Sequence, residues 1–153
     1  MKKQHTSACF LLLAFFITLA SAEASPRKDV LQGPIRGEVI EVLDGDTVSV
    51  RLQVWIGQRI ETHVRFAGID TPEIRGKCAQ ENTLAKKARD EVAALLQDGQ
   101  VTLSDIRLEK YAGRVMATVM TANGINIAEH LISKGYARTY QGKKRQGWCG
   151  RDT

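Results

Sequence analysis

Apolar and polar residues alternate along much of the first half of the chain. Residues 48–54 place a valine or leucine at every second position, and residues 60–66 repeat this alternation with polar side chains between. A period of two is typical of a strand with one buried face. Apolar residues at positions 39, 42 and 43 precede Asp44-Gly45. They predict an earlier strand that turns directly into the strand over 48–54.

The repeat then changes to that of a helix. Between positions 79 and 96, apolar residues recur every three or four positions, and Gly99 follows as a stop. Two further strands are predicted over Val101–Leu103 and Arg114–Met120, and a short helix over 126–135. Five strands with a long helix after the third predict an α+β, mainly β fold. The expected architecture is a five-stranded Greek-key barrel of the OB type with a short C-terminal helix.

The N-terminal residues have the features of a targeting segment. Two lysines near the start precede a 13-residue apolar run over 8–20, and an Ala-Ser-Ala triplet ends at position 22. This predicts a signal peptide over 1–22. An uncleaved anchor is the alternative, although a membrane span needs roughly 20 apolar residues. Residues 23–34 mix proline, glycine and charge without periodicity and are interpreted as a linker, leaving 35–153 as the domain. The expected location is periplasmic or extracellular, without stable membrane association after cleavage.

Charge and cysteine count add two constraints. The chain carries a formal net charge of +5, and loss of Lys2 and Lys3 with the signal peptide lowers it to +3. This mild excess favours encounter with polyanions but does not identify a nucleic-acid binder. Cys78 and Cys149 remain after cleavage. An even count in an exported protein predicts a disulfide between them, with two free thiols as the alternative.

Three short segments carry the candidate chemistry. They supply three carboxylates and two arginines: Asp46, Asp70, Glu73, Arg65 and Arg114. Carboxylate oxygens without histidine or cysteine suit a hard cation such as Ca²⁺ or Mg²⁺. Planar guanidinium groups suit phosphate. Each residue alone also has a structural interpretation, because Asp-Gly forms turns and proline ends strands. Together they indicate hydrolysis of phosphodiesters.

The order and spacing of these segments resemble the staphylococcal nuclease family. The matching strings are Asp44-Gly-Asp-Thr47, Arg65-Phe-Ala-Gly-Ile-Asp70-Thr-Pro-Glu73 and Tyr111-Ala-Gly-Arg114. The resemblance covers about residues 35 to 140. One departure is Ala112, inserted where the family reads Tyr-Gly-Arg.

The resemblance implies roles for individual residues. Asp46, Asp70 and the carbonyl of Thr71 would bind one Ca²⁺ ion, and Glu73 would be the general base. Arg65 and Arg114 would stabilise charge on the phosphate. Lys110 and Tyr111 match positions that contact a substrate phosphate.

The C-terminal segment is open to two interpretations. Cationic residues alternate with Tyr136, Tyr140 and Trp148. Such a pattern is typical of a groove for single-stranded nucleic acid, in which Tyr140 would contact a base. A solvated basic tail held by the disulfide explains it equally well.

These features predict an exported, Ca²⁺-dependent nuclease, monomeric, that cuts DNA, RNA or both, and the resemblance implies that it leaves 3′-phosphate ends. The alternative is a non-catalytic OB-fold module that binds nucleic acid within an envelope or secretion assembly.

Overall fold

The computed structural model describes residues 29–109 and 113–150 of the chain. Eight strands and two helices lie in these ranges. In chain order they are β1 (Val30–Leu31), β2 (Ile35–Val42), β3 (Thr47–Trp55), β4 (Gln58–Phe66), β5 (Ile69–Asp70), α1 (Ala79–Leu95), β6 (Gln100–Leu108), β7 (Arg114–Thr121), α2 (Ile127–Ser133) and β8 (Arg138–Thr139). The predicted signal peptide and residues 23–28 of the predicted linker lie outside the described residues.

Five of these strands close into a barrel. β2, β3 and β4 form an antiparallel meander, and β4 pairs in parallel with β7. β7 pairs antiparallel with β6, which pairs with β2 and completes the ring. The predicted fold class is therefore confirmed: a closed five-stranded barrel with a long helix after its third strand and a short helix near the C-terminus.

Alternating side chains fill the barrel as the period-two pattern predicts. Val48 and Val50 on β3 face Val64 on β4, and all three are fully buried. Leu103 on β6 and Ala117 on β7 complete the same core. Burying each large aliphatic side chain stabilises the fold by about 1.5–3 kcal/mol. The core fixes which residues of each strand point outward.

Both helices begin at residues with capping side chains. Cys78 is the N-cap of α1, where its Sγ accepts from the Glu81 N–H at 3.5 Å. Asn126 caps α2 by accepting from the N–H groups of Ala128 and Glu129. Each cap satisfies backbone donors that have no partner within the helix.

Three short strands were not predicted, because two residues are too few to show a period. β1 lies within the segment interpreted as a linker, and it pairs with β6 so that Val30 lies opposite Arg107. β5 and β8 form a separate antiparallel pair in which Asp70 lies opposite Arg138. This pair brings the C-terminal segment alongside the candidate site. No helix in the described ranges is long and apolar enough to cross a membrane.

Candidate active site

The turn before β3 carries Asp46 to the side of Thr71. The N–H of Asp46 donates to Asp44 Oδ1 at 2.9 Å, which closes a local Asx turn. A Cβ added at Gly45 would lie 2.8 Å from Ala88 Cβ and 3.2 Å from Thr71 Oγ1. Glycine is therefore required here by close packing against α1 and Thr71. The contact places the Asp46 turn beside the segment that follows β5.

Arg65 and Asp46 form a nearly buried ion pair. Arg65 lies opposite Thr47 in the β3–β4 pairing, and its Nη2 is 2.7 Å from Asp46 Oδ2. Thr47 Oγ1 donates to the other Asp46 oxygen at 2.8 Å. Burial raises the pKa of Asp46 to about 7, although the Arg65 charge opposes this shift, while the Asp44 charge adds to it. The ionised form of Asp46 is therefore energetically unfavourable unless a further cation lies beside it.

The last residue of β5 and the segment that follows it carry three more oxygen donors. Asp70 and Thr71 are buried, whereas the Glu73 side chain is 54% exposed. Pro72 is fully buried between them and cannot extend the strand. The segment bends after β5, so Glu73 reaches solvent while Asp70 stays inside.

A buried carboxylate that sequence reasoning missed supports the loop after Glu73. Glu81 accepts from the Lys77 N–H at 2.8 Å and from the Glu73 N–H at 3.4 Å. A Cβ at Gly76 would lie 2.6 Å from Glu81 Oε2, so glycine permits this approach. Glu81 therefore ties the Glu73 loop to the first turn of α1. In the sequence, this role of Glu81 was indicated only by its position three residues after Cys78, the N-cap of α1.

Two residues of the C-terminal segment reach the same acidic groups. Arg145 donates to Asp70 Oδ1 through Nε, to Glu73 Oε1 through Nη1 and to the Thr71 carbonyl through Nη2. The Trp148 Nε1–H donates to Asp70 Oδ2 at 3.2 Å. Sequence reasoning placed both residues in a basic groove or a solvated tail. The structure places them at the acidic groups instead.

The predicted disulfide between Cys78 and Cys149 is present, with its Cα atoms 6.0 Å apart. Glu73 lies five residues before Cys78, and Arg145 lies four residues before Cys149. The disulfide therefore brings Arg145 within reach of Glu73. The positions of the two cysteines in the sequence already indicated this proximity. Cys78, Cys149 and Glu81 also cluster closely, but bonded sulfur atoms are not thiolate ligands for a metal.

A cleft of about 680 Å³ opens beside these groups. Arg65, Arg107, Arg145 and Tyr140 are among the residues that line it. Tyr140 is fixed at both ends, because its N–H donates to the Gly68 carbonyl and its hydroxyl donates to the Lys143 carbonyl at 2.6 Å. Three guanidinium groups at one cleft suit a ligand that carries phosphate.

Arg114 lies at the start of β7, where its Nε is 2.8 Å from Glu109 Oε2. Glu109 also lines the cleft. The structure thus pairs Arg65 with a predicted cation ligand and pairs Arg114 with a different carboxylate. Lys110 and Tyr111, predicted to contact substrate, lie outside the described residues, as does the inserted Ala112.

The donor set fits a hard divalent cation. Asp46, Asp70, Glu73 and the Thr71 carbonyl offer oxygen atoms, and carboxylate and carbonyl oxygens are the ligands that such cations prefer. The Asp46 and Asp70 carboxylates are buried, and a buried negative charge is stable only with a positive charge nearby. Arg145 already supplies one such charge to Asp70, Thr71 and Glu73. In this structure the two buried carboxylates are therefore each paired with an arginine, Asp46 with Arg65 and Asp70 with Arg145.

Comparison with known proteins agrees with this geometry. The chain is 33% identical over 126 residues to a protein named Endonuclease YhcR from Bacillus subtilis (strain 168), a match over 77% of this chain and 10% of that protein. It is 28% identical over 112 residues to a protein of Escherichia coli named as an uncharacterized endonuclease, covering 73% of this chain and 65% of the relative. A protein of Shigella flexneri named Micrococcal nuclease is 29% identical over 113 residues, covering 69% and 59%.

The chain spans less than two thirds of the length of each of these relatives. The sequence pattern that describes staphylococcal nuclease homologues matches residues 63–148, which is more than half of the chain. That range includes Arg65, Asp70, Glu73 and Arg145, four residues of the candidate site. The chain therefore belongs to the family of staphylococcal nuclease homologues.

Proposed function

We propose that this protein is a Ca²⁺-dependent endonuclease that hydrolyses phosphodiester bonds in DNA, RNA or both. One observation carries the proposal: oxygen donors without nitrogen or sulfur ligands lie beside Arg65 at a cleft large enough for a nucleotide. Family membership and the names of the relatives support the same activity. Cation-dependent cleavage of a phosphate ester uses this combination of groups.

Asp46, Asp70 and the Thr71 carbonyl are the groups that would hold the cation. A bound cation would neutralise phosphate charge and lower the pKa of a coordinated water. Because Asp46 and Asp70 are buried, solvent would screen this charge less than at the surface, which strengthens its interaction with an anionic substrate. Ca²⁺ is favoured over softer ions because the donor set contains no imidazole or thiolate.

Glu73 and Arg65 then have separate tasks. Glu73 reaches solvent and can take a proton from the attacking water. The water oxygen bonds to phosphorus as the bond to the 5′ oxygen breaks, and the departing 5′ oxygen takes a proton from solvent water, so the products carry a 3′-phosphate and a 5′-hydroxyl. Arg65 donates to the phosphate oxygens, where negative charge grows during attack. Arg114 would also donate to the phosphate once its ion pair with Glu109 is broken.

The decisive experiment incubates the purified chain, without residues 1–22, with supercoiled plasmid and with a single-stranded RNA. Each substrate is tested in Ca²⁺, in Mg²⁺ and in excess chelator. Cutting in Ca²⁺ that stops in chelator supports the proposal, and Glu73→Gln should lower the rate under the same conditions. Full cutting in chelator contradicts the cation requirement. Binding of either substrate without cutting supports the non-catalytic module instead.

Product ends are tested separately with a substrate labelled at its 5′ end. A 3′-phosphate is removed by a 3′-phosphatase, which changes the mobility of the labelled fragment. Fragments that do not respond to the phosphatase contradict cleavage at the 5′ oxygen.

We also propose export, with a mature chain that starts near Glu23 and acts as a monomer in the periplasm or medium. The charged, apolar and small-residue order of positions 1–22 and the Cys78–Cys149 disulfide support this. Intact-mass analysis of secreted protein checks the start residue. A product that retains residues 1–22 contradicts cleavage.

A further inference from the structure

The contacts of Arg145 coincide with the proposed cation site. Its guanidinium donates to Asp70 and to the Thr71 carbonyl, two of the proposed ligands, and to Glu73, the proposed base. A divalent cation bound to the same oxygens would place two like charges side by side, and their repulsion is strong at a buried carboxylate. Arg145 and the cation therefore compete for this group of oxygens.

The chain holds Arg145 there through several independent contacts. β8 pairs with β5, so the segment starts beside Asp70. The segment then turns back at Gly142, whose φ of +80° is accessible to glycine without strain. Trp148 covers the second Asp70 oxygen and stacks on Arg138, whose guanidinium carbon is 3.6 Å from the ring centroid. The Cys149 disulfide closes the segment.

Arg145 is also placed to meet the substrate. Its side chain is 41% exposed and lines the same cleft as Arg65. Arg65 has a matching arrangement, because it pairs with Asp46, the other proposed cation carboxylate. Each carboxylate is thus held by one arginine of the cleft. When a cation neutralises the carboxylates, the guanidinium groups of Arg65 and Arg145 lose these partners. The substrate phosphate is then the strongest hydrogen-bond acceptor within their reach.

We propose that Arg145 is a further active-site residue, which occupies the oxygens of the cation site and moves to the substrate phosphate when the cation binds. The inference rests on the proposed function, since it requires that a cation binds at Asp70. It assigns to the C-terminal segment a part in controlling access of the cation to its oxygens and a direct part in binding the phosphate.

The first test measures Ca²⁺ binding by calorimetry, without substrate, on the disulfide-bonded mature chain. Arg145→Gln should bind Ca²⁺ about tenfold more tightly than the unmodified protein, because the competing guanidinium is gone. Lys144→Gln removes the same charge from the adjacent residue and should change the affinity by less than about twofold, as expected for exposed charges. Equal affinities for the Arg145 and Lys144 variants would overturn the proposal.

The second test measures kcat and KM on a single-stranded oligonucleotide at saturating Ca²⁺. Arg145→Gln should lower kcat/KM by at least about tenfold, and Arg145→Lys should recover part of the loss, because lysine keeps the charge but not the planar fork. Unchanged or faster turnover of Arg145→Gln would overturn the transfer to phosphate. If neither the unmodified protein nor Arg145→Gln binds Ca²⁺, the cation site of the proposed function is itself wrong.

Discussion

The candidate site has two halves that are supported in different ways. The barrel half consists of Asp46, in the turn that enters β3, and Arg65 on β4, and both of these strands are paired on both sides. The side chain of Arg65 is 16% exposed. The tail half consists of Arg145 and Trp148, on a segment whose residues 140–150 contain no regular secondary structure. Its supports are side-chain contacts and one disulfide.

This difference shows how a small barrel can combine a rigid site with an adjustable one. Backbone hydrogen bonds between strands fix Arg65, so its position depends on the global fold. Local opening of a segment with few buried apolar contacts requires much less free energy than global unfolding. The tail half can therefore exchange partners while the barrel half stays in place. Four predictions test this division.

The largest effect is expected at Asp70, where the two halves meet. Asp70→Asn removes a proposed cation ligand and also the partner of Arg145 and Trp148. Turnover should fall by about a thousandfold, at the upper end of what one electrostatic group contributes. Steady-state kinetics in Ca²⁺ checks this, with circular dichroism to show that the barrel remains folded. A loss below tenfold would contradict the assignment of Asp70 to the cation.

The next effect concerns the two arginines of the sequence motifs. Arg65→Lys should reduce kcat by about a hundredfold, which corresponds to roughly 3 kcal/mol, because lysine cannot reproduce the fork on phosphate. Arg114→Lys should have a smaller effect, since the structure pairs Arg114 with Glu109 and not with a proposed cation ligand. Both variants are measured on one single-stranded substrate. Equal losses would show that both arginines act on the phosphate.

Reduction of the disulfide should affect the tail half more than the barrel half. Cys78 and Cys149 are 71 positions apart, and closing such a loop contributes at most roughly 4 kcal/mol in the chain-entropy view. Amide hydrogen exchange over 140–149 should become faster, because the segment loses its covalent support. Exchange over the buried residues 48–52 serves as the internal control. Equal acceleration in both ranges would show that the halves unfold together.

The smallest effect concerns the charge of Asp46 in the cation-free protein. Burial raises its pKa from the ordinary range of an aspartate to about 7, so the protonated form is favoured in the folded state. This stabilisation is present at low pH and is lost as the pH rises from about 4 to about 7. Asp46→Asn should raise Tm in chelator by about 4 °C at pH 8 and change it little at pH 5. A lower Tm at pH 8 would mean that the Arg65 ion pair outweighs the burial of charge.

The sequence by itself determined the barrel and indicated the candidate site residues that lie in the three short segments. Apolar alternation over 48–54 and 60–66 identified the strands, since a period of two can bury one face only in a sheet. The residue types, order and spacing of the segments with Asp46, Arg65, Asp70 and Glu73 identified these residues as candidates, through their resemblance to the staphylococcal nuclease family. Even the disulfide followed from a count of two cysteines.

Tertiary structure decided which charges meet. Arg145 lies 72 positions after Glu73, and in the sequence only the positions of the two cysteines relate them. Their contact depends on the two-residue pairing of β5 with β8, which is too short to leave a period in the sequence. The partner of Arg114 was also undetermined, because an arginine at a strand end can reach any carboxylate that the closed barrel brings near. Periodicity specifies strands and helices, whereas the partners of long charged side chains depend on how those elements close in space.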